Sequence, residues 1–230
     1  MSSDLSAWQL VLTADPTLMA IVRLSLLVSL SAVLLAALIG IPFGALIALT
    51  RFPGRDTAIV ILNALMGLPP VVVGLAVYLL LSRSGPLGSF GILFTPQAMV
   101  IAQTILIAPI IAALSRQTIE DLWVEYRDEM LAMNVAPWRR IVTLIVDARF
   151  SLLTALLAGF GRAAAEVGAV IIVGGNINGF TRTMTTAIAL ETSKGDLPLA
   201  MGLGLVLIAI VIVVNAAAWG ARRAAERHAG

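Results

Sequence analysis

The sequence contains no cysteine, one histidine, one lysine and few charged residues, and each shortage excludes a class of protein. Without cysteine there is no disulfide framework and no thiolate metal site, and the single histidine, His228, argues against a histidine-based metal centre. The phosphate-binding loop of ATPases needs a Gly-Lys pair, whereas Lys194 follows Ser193. No paired carboxylates and no nucleophile with a base stand out. We therefore expect no catalytic site, no metal, no cofactor and no nucleic-acid partner.

The shortage of charge accompanies an excess of apolar residues. Of 230 residues, 60% are apolar and 12% are charged, and the mean hydropathy is +1.00. A soluble domain has about 45–50% apolar and about 25% charged residues. So little charge cannot cover a globule of this size, which excludes a soluble enzyme. We expect a polytopic membrane protein whose apolar surface faces lipid.

Five stretches are long and apolar enough to cross a bilayer as helices. A crossing needs roughly 20 residues for a hydrocarbon core of about 30 Å. The predicted spans are residues 18–49, 58–81, 97–114, 151–173 and 197–219. Barrel strands alternate apolar and polar residues, which these stretches do not. The prediction is an all-α fold with about five transmembrane helices in a single transmembrane domain, residues 1–230.

Two features inside these stretches predict local geometry. Gly40 and Gly44 lie four residues apart in the first stretch, a spacing that lets another helix approach closely. The prolines Pro69 and Pro70 should break the second stretch, where a neighbouring helix or water must satisfy the freed backbone groups.

The distribution of basic residues predicts the orientation. Cytoplasmic loops of membrane proteins carry an excess of arginine and lysine. Segments 51–57, 115–149 and the tail after residue 219 hold ten arginines, whereas the opposite segments hold Arg83, Arg182 and Lys194. We therefore expect the first set in the cytoplasm, with the N-terminus outside and the C-terminus inside.

The cytoplasmic segment 115–149, which we call the elbow, predicts a helix, a sharp turn and a second helix. Residues 120–133 contain no glycine or proline, and their apolar residues recur at steps of three and four. Asn134 tolerates the left-handed conformation that ends a helix, and Pro137 suits the first turn of a helix over residues 138–146. The elbow is either a solvated hairpin that joins two spans or a docking element for a cytoplasmic partner. Tryptophan and methionine are enriched in interfaces, but tryptophan is also common at lipid headgroups.

The elbow resembles the signature loop of permease subunits of bacterial ABC importers, in which an acidic residue and two alanines precede a glycine turn and a second helix. Asp128-Glu129-Met130 stands in the acidic-Ala-Ala place, Asn134 stands where glycine is usual, and Pro137-Trp138-Arg139 matches the start of the second helix. The sequence departs from the pattern at Asp147-Ala148-Arg149, near the usual Leu-Pro. The resemblance implies contact with an ATPase subunit through Asp128, Glu129, Ala132, Met133, Asn134, Pro137, Trp138 and Arg139.

Residues 162–176 resemble the fourth-span region of oxyanion permeases. The forms Glu166-Val167-Gly168-Ala169 and Val173-Gly174-Gly175-Asn176-Ile177 are most similar to members that carry tungstate, and the resemblance covers residues 51–189 well. It implies the type I ABC importer permease fold. It also implies a homodimer in the cytoplasmic (inner) membrane of a bacterium or archaeon. Its partners would be membrane lipid, two cytoplasmic ATPase copies and an extracytoplasmic oxyanion-binding protein.

The function expected from this resemblance is import of an oxyanion, tungstate first, with molybdate or sulfate as alternatives. A stand-alone secondary transporter or channel, and a membrane scaffold, are the other interpretations. Five spans are few for a solitary transporter built of inverted repeats, and they suit a dimer with a path along its two-fold axis. Any ATP energy must then come from another chain.

Two charged residues inside the fourth predicted span are candidates for the path. Arg162 and Glu166 lie on one helix face, and Arg162 is about 20 Å along a helix from Arg149 at 1.5 Å per residue. A charge at mid-membrane costs on the order of 2.5–3.5 kcal/mol, so neither faces lipid. They form either a structural ion pair or part of an anion path.

The outer loop over residues 174–186 is rich in glycine, asparagine and threonine. Its backbone amides and hydroxyl groups either bind the oxyanion or form a turn that receives the external binding protein. The candidate path residues in this loop are Asn176, Thr181 and Thr183.

Overall fold

The structure, a computed structural model, describes residues 16–229, which fold into helices joined by turns without a strand. The nine α-helices of this described part are α1 (Pro16–Leu49), α2 (Arg55–Leu65), α3 (Pro70–Leu81), α4 (Pro96–Ala132), α5 (Pro137–Asp147), α6 (Arg149–Ala164), α7 (Gly168–Gly174), α8 (Met184–Lys194) and α9 (Leu197–Ala229). A single 3-10 turn, Gly88–Phe90, lies between α3 and α4. The all-α prediction is confirmed. The first 15 residues, predicted to begin outside the cell, lie outside the described residues.

Three of these helices are long and apolar enough to cross a membrane. They include the ranges Leu18–Leu49, Pro96–Ala132 and Leu197–Gly220. Two further spans would come from bent pairs, α2 with α3 at 97° and α5 with α6 at 70°, which brings the number to five at most within residues 16–229. The break predicted before Pro70 is the first of these bends. The pairing of α5 with α6 differs from the predicted fourth span, which joined residues 151–173.

Two helices differ from the sequence prediction in their continuity. The third predicted span and the first elbow helix are one helix, α4, because no glycine and no effective breaker separates them; Pro109 lies inside it. The fourth predicted span is interrupted between α6 and α7, at residues 165–167. The α8 helix was not predicted, because its sequence lies in a stretch that reads as a polar loop.

The chain divides into two compact units. The first comprises the described residues up to Ser31, Pro69–Gln103 and the described residues from 161 onward. Within it α3 packs against α7, and α8 packs against α9. Contact between α3 and α7 is close because Gly74 has no side chain: a Cβ there would lie 2.8 Å from the Cα of Ala169.

The second unit comprises Ala32–Leu68 and Thr104–Phe160. In it the end of α1 packs against α4 through the predicted glycine pair. A Cβ on Gly44 would lie 2.9 Å from the backbone nitrogen of Arg116, and one on Gly40 would lie 3.0 Å from the carbonyl oxygen of Ala108. The close approach predicted from the spacing of these glycines is confirmed.

Candidate functional site

The elbow turn has the hydrogen bonds of a Schellman motif, the common way to end a helix with a left-handed residue. Asn134 has φ 50°, in the left-handed region. The Val135 amide donates to the carbonyl of Met130 and the Asn134 amide donates to the carbonyl of Leu131, both at 3.0 Å. Pro137 occupies the start of α5 after an extended Ala136. The predicted helix, turn and second helix are confirmed, and α5 extends the predicted 138–146 by one residue at each end.

One face of the elbow is buried in the second unit. The core there contains Ala45, Ala48, Ile119, Leu144, Ala148 and Leu152. Ile141 and Ile145 of α5 and Tyr126 and Met130 of α4 pack against it. Burial of these apolar side chains fixes the angle between the two elbow helices, because a rotation of either would expose them.

The opposite face carries the predicted ATPase-contacting residues. All eight are exposed: Asp128, Glu129, Ala132, Met133, Asn134, Pro137, Trp138 and Arg139. The side chains of Met133 and Trp138 are 76% and 63% exposed. The Arg139 guanidinium lies 5.2 Å from the centre of the Trp138 ring. Exposed methionine, tryptophan and arginine at one turn are typical of the centre of a protein interface.

Arg140 fastens the turn to the first elbow helix. Its Nε donates to the carbonyl of Val135 at 2.7 Å, and its guanidinium lies 5.7 Å from the centre of the Trp123 ring. Nearby, the negative charge of Glu125, followed by that of Asp147, raises the pKa of Tyr126 above its ordinary value of 10.0. The elbow is therefore a braced corner with a negative field around Tyr126.

A cluster of partly buried, ion-paired side chains lies at the base of the elbow. Glu120 accepts from Arg55 at 2.7 Å and from Arg116 one turn earlier on α4. The Nε of Arg55 also donates to the carbonyl of Ile47 at 3.0 Å. One carboxylate thus links α2 and α4, while Arg55 reaches the last part of α1.

In the first unit, the break between α6 and α7 has its backbone satisfied by side chains. Gln103 Nε2 donates to the carbonyl of Ala163 at 3.1 Å, and Thr185 Oγ1 donates to the carbonyl of Glu166 at 2.8 Å. Glu166 Oε1 accepts from the amide of Ala169 at 3.0 Å. A helix interrupted at membrane depth needs such partners, because no water is available there to replace the lost bonds.

The two predicted charges meet at this break. Arg162 Nη1 donates to Glu166 Oε2 at 2.6 Å. The Glu166 side chain is 3% exposed and the Arg162 side chain is 32% exposed. The carboxylate is therefore enclosed and hydrogen-bonded through both oxygens, whereas about a third of the Arg162 side chain stays exposed.

The predicted threonines form a buried corner before α8. Thr181 Oγ1 donates to the carbonyl of Gly174 at 2.6 Å, and Thr183 caps α8 reciprocally with Thr186. The Met184 amide donates to Ser25 Oγ at 2.8 Å, which ties this corner to α1. Asn176, at φ 50°, donates from Nδ2 to the carbonyl of Thr186 at 3.3 Å. In this structure the hydrogen bonds of these residues shape the loop.

The structure therefore brings together the predicted Arg162 and Glu166, and it places Asn176, Thr181 and Thr183 in the same unit. The sequence prediction missed the residues that hold these in position, which are Gln103, Thr185 and Ser25. It also missed the Glu120 cluster of the second unit. Gln103 has a readable signal, because it is an amide inside an apolar helix. The Arg116–Glu120 pair also has a readable signal, because the two residues lie four apart on one helix, whereas Arg55 has none, since it is 65 residues away in sequence.

Comparison with known proteins identifies the class. Residues 40–229 match the family described as "Binding-protein-dependent transport system inner membrane component". The chain is 43% identical over 204 residues to a "Probable anion ABC transporter permease protein" of Haloferax volcanii, which covers 86% of this chain and 88% of that protein.

Two relatives carry a more specific name. The chain is 38% identical to the "Tungstate uptake system permease protein TupB" of Peptoclostridium acidaminophilum, covering 92% of both proteins. It is 38% identical to the protein of the same name in Campylobacter jejuni, covering 81% of this chain and 78% of that one. More distant relatives at 27–30% identity are named as sulfate and molybdenum transport permeases. All of these relatives are permease components of transport systems and not enzymes.

Proposed function

This chain belongs to the family of inner membrane components of binding-protein-dependent transport systems, and from that membership we infer that it is the permease subunit of an ATP-driven tungstate importer. Two copies form the path, two ATPase subunits bind the elbows in the cytoplasm, and an extracytoplasmic oxyanion-binding protein delivers the ion. The exposed, braced elbow is the observation that carries the proposal.

The elbow supports an ATPase partner for physical reasons. Its buried face fixes the corner, so the exposed face is presented with little loss of conformational freedom on binding. A scaffold or a solitary channel gives no reason to expose Met133 and Trp138 beside a left-handed Asn134. ATP binding to the partner would move the two elbows and shift the dimer between two states of access.

The cargo assignment rests on the relatives. Those named for tungstate are more similar to this chain than those named for molybdenum or sulfate. Molybdate is the second candidate, because the two anions have the same charge and tetrahedral shape.

Arg162 is the residue of the path that we assign to the anion. Glu166 balances its charge in this structure, and the amide of Ala169 and the backbone around the break hold Glu166 in place. An arriving anion would bind the part of the guanidinium that Glu166 leaves exposed. The orientation proposed from the arginine count places the elbow in the cytoplasm. The consecutive Arg139 and Arg140 at the start of α5 then argue that α5 lies at the membrane surface, so that α6 and α7 form the fourth span.

Reconstitution of the permease with its ATPase and its binding protein tests the proposal. We expect ATP-dependent uptake of tungstate that unlabelled molybdate inhibits weakly and sulfate does not inhibit. Equal inhibition by all three anions would refute the tungstate assignment, and uptake that needs no ATPase would refute the importer class.

A further inference from the structure

A cavity of about 260 Å³ opens in the second unit between the end of α1, the start of α2 and the charged half of α4. We call it the arginine notch, and its charged and aromatic lining is Arg51, Arg55, Glu120, Trp123, Arg127 and Asp128. The ATPase contact proposed above does not use its arginines.

The charges of the notch are unevenly satisfied. Glu120 is held by two arginines, Arg55 and Arg116, so its carboxylate does not repel an incoming anion. Among the described residues, the side chains of Arg51 and Arg127 have no hydrogen-bond and no ion-pair partner. Asp128 offsets only one of them, which leaves the notch with an excess of positive charge.

The position of the notch along α1 favours the headgroup layer of a membrane. Gly44 abuts the backbone of Arg116, where α4 becomes charged. From Gly44 to the end of α1 at Leu49 is about 7.5 Å at 1.5 Å per residue. The headgroup region adds roughly 5–8 Å to each side of the hydrocarbon core. Arg51 lies two residues after this end, next to Phe52, whose apolar side chain is exposed.

We propose that the arginine notch binds the phosphate of an anionic phospholipid headgroup, with Arg51 and Arg127 as its principal ligands. The notch holds the volume of roughly eight water molecules, enough for a phosphate diester between the two guanidinium groups. Guanidinium groups bind phosphate oxygens in pairs, and Trp123 forms a wall of the kind common at headgroup level. The proposal rests on the membrane location of the family and not on the identity of the cargo.

The test counts lipids on the assembled transporter. The complex is reconstituted in nanodiscs of mixed phosphatidylcholine and phosphatidylglycerol, and the lipids it retains are measured by native mass spectrometry at increasing salt. We expect preferential retention of phosphatidylglycerol by the wild type. The double variant Arg51→Gln/Arg127→Gln should bind it about 30-fold more weakly, which corresponds to about 1 kcal/mol for each basic residue at an anionic surface.

Three controls make the result decisive. Arg83→Gln removes an exposed arginine from the other unit and should leave retention unchanged. Arg51→Lys/Arg127→Lys keeps the charge and should restore most of the retention. Inorganic phosphate is added to discs of phosphatidylcholine alone, because a thermal shift there without selective retention of phosphatidylglycerol would identify free phosphate and overturn the lipid assignment.

Two further results would overturn the proposal. Equal retention in wild type and the double glutamine variant would show that the notch does not bind lipid, as expected if the ATPase fills it. Equal retention of both lipids by the wild type would show that it does not select charge. A transporter that fails to carry tungstate would refute the cargo and leave these lipid counts unchanged.

Discussion

The left-handed residue of the elbow turn gives the sharpest test of the coupling proposal. Asn134 has φ 50°, and the Schellman hydrogen bonds of the turn require that conformation. Replacing it by glycine keeps the conformation freely accessible, whereas replacing it by valine places a β-branched side chain where L-residues are strained by roughly 1–2 kcal/mol. The buried face of α5 keeps the fold intact, so the strain should open the corner only.

The expected result follows from the fraction of elbows that retain the bent geometry. If docking needs the corner, a penalty of about 1–2 kcal/mol lowers the apparent affinity for the ATPase by at most roughly 5- to 30-fold, the full factor applying when bent and open elbows are similarly populated. Asn134→Gly should bind as the wild type does, and Asn134→Val should bind more weakly. The assay is titration of the ATPase onto permease in nanodiscs, followed by substrate-stimulated ATP hydrolysis. Equal affinity for both variants would refute the role of this turn in coupling.

Three further predictions test the packing, the ion pair and the electrostatics. Gly44→Ala forces a Cβ against the α4 backbone and should lower the free energy of unfolding by about 1–3 kcal/mol. The control Gly161→Ala adds a Cβ that meets nothing within 4 Å and should not lower it. Equal melting curves for the two variants would contradict the close packing of α1 on α4. Arg162→Gln leaves the buried Glu166 carboxylate unpaired and should destabilise by about 3–5 kcal/mol; adding Glu166→Gln should restore stability but not uptake, and recovered uptake would exclude Arg162 from the path. Tyr126 should ionise above pH 10.0 in an absorbance titration identified by Tyr126→Phe. Because the folded-state pKa of Tyr126 is raised, its contribution to the free energy of unfolding is present below pH 10.0 and is lost as the pH rises through the folded-state pKa. Ionisation of Tyr126 at its ordinary pKa would contradict the effect of the neighbouring carboxylates.

The sequence predicted the elbow well because its signals are local. Asn134 and Pro137 are a helix stop and a helix start within four residues, and backbone sterics alone decide both. The close approach at Gly44 was also predictable, because spacing on one helix decides which small residues share a face.

The sequence did not predict the features that depend on distant partners. The break at Glu166 was missed, because the residues that satisfy its backbone, Gln103 and Thr185, come from other helices. The ion pair between Arg55 of α2 and Glu120 of α4 was missed for the same reason. The continuity of α4 was missed because a change from apolar to polar residues marks the end of a membrane span but not the end of a helix.

Uptake into liposomes with and without the ATPase tests the central claim most directly. The permease is reconstituted alone and, in parallel, with the ATPase and the binding protein. ATP is enclosed in the vesicle lumen, on the side of the elbows. Tungstate is added outside, and the amount that accumulates in the lumen is measured. We predict accumulation against a gradient in the complete assembly and none in vesicles that hold the permease alone. Accumulation or rapid equilibration of tungstate by the permease alone would contradict the account.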